Sequence, residues 1–183
     1  MRYSSYDMAK LVPENHPALH TIAEEITQED FDNGLVAKII KDLKAALKEY
    51  SVDGFVAVAI AAPQIGVSKR LFIIEDQSKD RDSLPCLVAI NPKIVKVSKK
   101  THIVGEGCLS LPNLYGEVKR HKNVVMRALD ENGEEYERGA GGLLAQIIQH
   151  ENNHLDGILF SDIAERVYTK EEMEKRGITE AKG

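Results

Sequence analysis

The chain has 183 residues, of which 43% are apolar and 29% charged, and a formal net charge of −5. That length predicts one domain over residues 1–183, and the balance excludes a disordered chain and argues against a general nucleic-acid binder, which is usually basic. The longest apolar run, Phe55 to Ala62, is far short of the ~18 residues that suggest a membrane span, and the first residues lack the apolar core of a signal peptide.

Residues 1–20 contain Pro13 and Pro17 with few periodic apolar positions and read as an irregular N-terminal arm. From Thr27 the pattern predicts a helix, capped by Thr27 or Asp32, with Val36, Ile39, Ile40, Leu43 and Leu47 forming an inward stripe. Short β-prone runs follow at Phe55–Ala62, Leu71–Glu75, Cys86–Asn91, Ile94–Val97 and Thr101–Val104. Two more, Asn123–Asp130 and Glu134–Arg138, flank Asp130-Glu131-Asn132-Gly133, a hairpin turn by composition. The glycine-rich stretch 139–142 predicts a break before a second helix over Leu143–Asp156. Thr169–Arg176 predicts a short charged helix within a charged tail of about 166–183. Strands in bulk followed by one helix imply an α+β fold, mostly antiparallel sheet packed around that helix.

The second helix carries His150-Glu151-Asn152-Asn153-His154, an H-E-x-x-H pattern. Histidines at i and i+4 stack on one helix face, where both reach one metal ion with the glutamate beside them as base. At about 100° per residue, Leu143, Ile147, His150 and His154 fall within an arc of about 60°, with Glu151 next to it and Gln146 at its other edge. Gln149, Asn152, Asn153 and Asp156 fall on the opposite, outward side. Ionisable groups on a buried stripe are costly unless paired, and a metal solves that. The alternatives are two histidines satisfied by hydrogen bonds, or a histidine–glutamate pair without metal.

A catalytic site of this type needs a third protein ligand. No histidine follows His154, so the downstream candidates are acids of the tail. Upstream, Cys108 follows a β-prone run and a glycine, and a thiolate is a strong ligand. The alternative for Cys108 is a small buried hydrophobe, the reading that also fits Cys86 in its apolar surroundings. Two cysteines make no disulfide framework and fit a reducing cytoplasm.

At this point the chain resembles the peptide deformylase family. Residues Ala59 to Gly66, AIAAPQIG, resemble its first motif, G-φ-G-φ-A-A-x-Q. The second, E-G-C-L-S, is complete at Glu106 to Ser110, and the third, Q-H-E-x-x-H, is complete from Gln149 to His154. Pro17-Ala18-Leu19 resembles the family's N-terminal arm, and the likeness runs from about residue 10 to 165.

The resemblance implies a single deformylase-like catalytic domain that removes the formyl group from N-formylmethionine of newly made polypeptides. It implies Cys108, His150 and His154 as ligands of iron(II), replaceable by zinc, nickel or cobalt, and Glu151 as base. Gln64 and the Leu109 backbone N–H would hold the formyl oxygen. It also implies an N-formylmethionyl peptide as partner, proximity to the ribosome without a nucleic-acid signature, no membrane, and a cytoplasmic location. The peptide would add to the strand containing Ala57 to Ile60, past Ala59. Its methionine would meet Val104, Leu143, Ile147 and the aliphatic part of Gln146. The chain departs from the family at Ala57 and Ala59, where glycines are usual, at Tyr115, often arginine, and at Gln146, where an apolar residue is expected; Arg120 matches. The rival readings are a small H-E-x-x-H metallopeptidase, whose third ligand would not be Cys108, and a binding protein with a closed structural metal.

Overall fold

The computed structural model describes residues 10–50, 57–76 and 84–176. The arm's described part holds a 3-10 turn, Pro17–Leu19, whose Ala18 and Leu19 are buried. The helix predicted from Thr27 is two: α1 (Gln28–Asp32) and α2 (Leu35–Glu49). Thr27 caps α1 in a box with Asp30, whose carboxylate accepts from the Thr27 N–H at 2.8 Å. Gly34, at φ 80°, then turns the chain in a way side-chain-bearing residues resist, so the helix restarts. Asp32 closes α1 and caps nothing.

Five strands, β1 (Ala59–Ala61), β2 (Leu71–Ile74), β3 (Leu87–Val97), β6 (Asn123–Leu129) and β7 (Glu135–Gly141), form one antiparallel sheet in the order β1-β2-β3-β6-β7. A second sheet, β4-β5-β8, is built from β4 (Thr101–Cys108), β5 (Leu111–His121) and β8 (Arg166–Thr169). The helices α3 (Gly142–Leu155), α4 (Phe160–Ile163) and α5 (Lys170–Arg176) complete the chain.

Several boundaries differ from the sequence pattern. The first β run shrinks to Ala59–Ala61, and its Phe55 and Val56 lie outside the described residues. The two runs around Asn91-Pro92 are one strand, bulged between Ile90 and Lys93, with Asn91 at φ 50°. There the Asn91 carboxamide takes the place of a neighbouring strand, accepting from Ile26 N at 2.7 Å and donating to Ile26 O at 2.8 Å. The predicted glycine break is strand instead, since Gly139 and Gly141 pair with Val125 and Asn123. The hairpin turn stands as read: Asp130 Oδ1 accepts from Asn132 N at 2.8 Å and Glu134 N at 2.9 Å.

The α2 stripe of Val36, Ile39, Leu43, Ala46 and Leu47 packs on Ile60, Leu71, Ile73 and Ile90, one face of the larger sheet. Phe72, Ile74 and Ala89 face the other way, onto Ala145, Ile147, Ile148 and Leu155 of α3. All four β2 residues are buried because the sheet is covered on both sides; fully burying such a side chain contributes about 1.5–3 kcal/mol. A third cluster, Leu19, Cys108, Leu111, Val118, Leu159 and Phe160, lies under the smaller sheet. Helix α3 touches strands of both sheets, so the amides read as outward are not. Gln149 and Asn152 are buried: Gln149 bonds both backbone groups of His121 at 2.9 and 3.0 Å, and Asn152 donates to Ile148 O at 2.8 Å.

Candidate metal centre

The end of β4 and the middle of α3 meet at Cys108, His150 and His154. Cys108 Sγ lies 3.2 Å from His154 Nε2, which lies 3.2 Å from His150 Nε2. The three donor atoms are within 4.8 Å of one another, a spacing that suits one ion with ligand bonds of about 2.0–2.3 Å. On β4 the period of two puts Glu106 on the same face as Cys108. A register shift between Gly107 and Cys108 ends the regular pairing with β5 where the thiol is presented.

Glu106 links the cluster to the rest of the protein. One of its oxygens sits 2.9 Å from His150 Nδ1, leaving Nε2 to face the thiol and the other histidine. Arg120, on β5, grips the same carboxylate with Nε at 2.7 Å and Nη2 at 2.8 Å, and its Nη1 donates to Asn153 Oδ1. Burial opposes the charge on Glu106, but the Arg120 guanidinium and His150 outweigh it and hold the carboxyl down at about 2. An imidazole oriented through its second nitrogen by a carboxylate is the usual outer shell of a metal-ligating histidine.

Burial likewise opposes ionisation of Cys108, yet His154 and His150 draw its thiol well below the ordinary range. Burial disfavours the charged His150, and the Cys108 sulfur and Glu106 overcome that and raise it well above the usual imidazole value. Glu151 is 4% exposed, and burial pushes it up against the pull of the two histidines. Its Oε2 and the Nδ1 of His154 are buried with no hydrogen-bond partner among the described residues. A thiol drawn towards thiolate, two imidazoles and unsatisfied polar atoms together fit a bound divalent ion.

Gln64, 2% exposed, follows β1 in a 3-10 turn, Ala62–Ile65. Its Oε1 accepts from Ala61 N at 2.9 Å, which aims Nε2 at Cys108 Sγ, 3.6 Å, and Ser110 Oγ, 3.1 Å. Leu109 lies in the turn between β4 and β5. Ala59 is on β1, an edge strand of the larger sheet. Ile147 is buried, Val104 and Gln146 are half-buried, and Leu143 is 38% exposed. The Tyr115 ring stands over Gly107 on the neighbouring strand, 3.2 Å from where a Cβ there would sit. Cys86, read as a buried hydrophobe, is exposed just before β3.

Sequence reasoning gave no role to Glu106, Ser110 or Asn153. The i, i+2 alternation with Cys108 was a signal for Glu106. Nothing local announces Asn153, since its partner Arg120 is 33 residues away.

A family model described as polypeptide deformylase matches residues 8–170. The chain is 37% identical over 167 residues to a peptide deformylase of Microchaete diplosiphon, covering 88% of this chain and 86% of the relative. It is 40% identical over 156 residues to that of Fusobacterium nucleatum subsp. nucleatum, covering 83% of each. The structure is similar to a peptide deformylase from Synechococcus elongatus in complex with actinonin, with a TM-score of 0.75 and 31% identity over 98% of this chain and 91% of the other. The Thermotoga maritima peptide deformylase gives a TM-score of 0.75 and 29% identity, covering 88% of this chain and all, 100%, of that one.

Proposed function

The chain belongs to the polypeptide deformylase family, metal-dependent hydrolases that remove the formyl group from new polypeptides, and from that premise we propose that Cys108, His150 and His154 hold its metal and that residues 1–183 make one catalytic domain. The observation that supports this reading most is the convergence of three donor atoms within 4.8 Å on a buried face beside an unpaired Glu151 oxygen. The third donor is a thiol upstream of the helix, unlike the downstream acid a metallopeptidase reading requires.

A divalent metal bound there lowers the pKa of water and polarises a carbonyl; we assign iron(II), with zinc, nickel or cobalt able to replace it. Glu151 accepts a proton at Oε2 and delivers one to the leaving amine, a role served by a carboxyl that burial has raised. Gln64 Nε2 gives up its sulfur and hydroxyl contacts to donate to the formyl oxygen as negative charge develops there. The Leu109 N–H is the second donor, and losing one such donor costs about 10²–10³ in rate. The substrate is an N-formylmethionyl peptide, laid along the edge of β1 at Ala59, with its methionine against Val104, Leu143 and Ile147. We assign the setting the family likeness implies, the cytoplasm near the ribosome; free cysteines suit a reducing compartment, and among the described residues no helix is long and apolar enough to cross a membrane.

The test is formate release from a formyl-Met peptide by anaerobically prepared, iron-loaded protein. Cys108→Ala is expected to lose the metal. Glu151→Gln is expected to retain it while formate release falls by about 10²–10⁴. A Cys108→Ala protein that binds metal and turns over like the parent would refute the ligand assignment.

A further inference from the structure

Gln146 lies one turn before His150 on α3, and i, i+4 residues sit one above the other on a helix. Its Nε2 donates to the backbone carbonyl of Gly105 at 2.9 Å. Gly105 belongs to β4, an edge strand, and immediately precedes Glu106, the partner of His150. The amide is therefore tied down beside the donor cluster. Its neighbours along the elements are apolar: Leu143 one turn back and Ile147 next in sequence on α3, and Val104 just before Gly105, on the β4 face shared with Glu106 and Cys108. Leu143 is an apolar side chain left 38% exposed. Among the described residues, the second N–H and the Oε1 of Gln146 have no protein partner.

We propose, building on the deformylase reading of this site, that Gln146 is a specificity-determining residue: tethered to Gly105, it puts one fixed polar group into an otherwise apolar wall and so selects the thioether of methionine over an all-carbon chain of the same length. A wall of Val, Leu and Ile alone favours the more apolar norleucine. A fixed N–H reverses that preference, because thioether sulfur is a weak acceptor and a methylene is none. The tether matters because an untied glutamine side chain would lose rotamer freedom on each binding event.

The experiment compares the parent with Gln146→Met and Gln146→Leu on formyl-Met-Ala-Ser and formyl-norleucyl-Ala-Ser, as the ratio of the two kcat/KM values. A ratio does not depend on how much of a preparation is folded or metal-loaded. Gln146→Asn keeps an amide but falls short of Gly105, and replaces the apolar variants if they do not fold. Calorimetric binding of Met-Ala-Ser and norleucyl-Ala-Ser to metal-free protein supplies a second ratio that needs no turnover. The parent is expected to favour methionine, and each variant to lower both ratios by about two- to fivefold, the worth of one weak hydrogen bond. Formate release with unchanged ratios overturns the role of Gln146 and leaves the deformylase reading standing. No formate from the parent on either peptide overturns both.

Discussion

Glu106 is a single carboxylate shared between a guanidinium and an imidazole, with 2% of its side chain exposed. Glu106→Gln keeps the shape but removes the charge that fixes which His150 nitrogen faces Cys108 and His154. Metal affinity is expected to fall by roughly 10–100-fold, measured by competition with a chelator; unchanged retention would show that His150 needs no orienting partner. At this scale the sequence is informative where spacing is short. The two histidines and Glu151 follow from a helical period, and Cys108 from its motif. Arg120 was marked only by matching the family and Asn153 by nothing, because their bond joins a strand to a helix through folding alone. Cys86 misleads in the other sense: Leu84, Leu87 and Val88 are apolar neighbours, yet the thiol between them is exposed.

At the scale of elements, α3 was legible in extent but not in environment. Its wheel separates apolar from amide faces, as it would for a helix lying on one sheet, but α3 contacts strands of both sheets: Gln149 serves the backbone of His121, Asn153 accepts from the Arg120 side chain, and Asn152 bonds within the helix. Strand β5 was missed because Pro112, Asn113 and Gly116 are loop-like in composition; Gly116 is needed where Phe160 packs, 2.8 Å from where a Cβ would stand. The end of α3 gives a sharper test. Gly157 has φ +71°, and a Cβ there would meet the backbone N of Thr21 at 2.7 Å. Gly157→Ala should destabilise the fold by about 1–3 kcal/mol from backbone strain, with a further loss from displacing the arm. The check is the urea midpoint of metal-free protein; an unshifted midpoint would refute both the backbone strain and the contact with the arm.

For the whole molecule, stability against pH can be followed away from the metal centre. The Tyr136 hydroxyl, on β7, donates to Val88 O on β3 at 2.7 Å, passing over the intervening β6. Burial, reinforced by Asp130, pushes its phenol up to about 12. The folded state thus favours the protonated form. Its contribution is complete below the unfolded pKa of about 10 and is lost as pH rises from there towards about 12. The parent should lose thermal stability across that window more steeply than Tyr136→Phe. Parallel losses would show that the phenol ionises as easily in the folded state as in the unfolded chain. The α+β class was readable from strands in bulk followed by a helix. The division into two sheets was not, because it depends on pairings such as Tyr115 with Tyr168 that are far apart in sequence.

The clasp between Asn91 and Ile26 joins positions 65 residues apart, and its durability depends on the residue that follows. Asparagine ages when the next backbone nitrogen attacks the side-chain carbonyl and expels ammonia, and that attack needs an N–H. Residue 92 is proline, which has none, so this route is closed at the carboxamide that holds the clasp. Asn33 and Asn132, both exposed and each followed by glycine in a turn, have no such protection. Peptide mapping by mass spectrometry after alkaline storage should find conversion at Asn33 and Asn132 while Asn91 stays intact; the reverse order would refute it. The protein's chemical ageing would then begin at exposed turns and leave in place the contact that fastens the segment before α1 to the larger sheet.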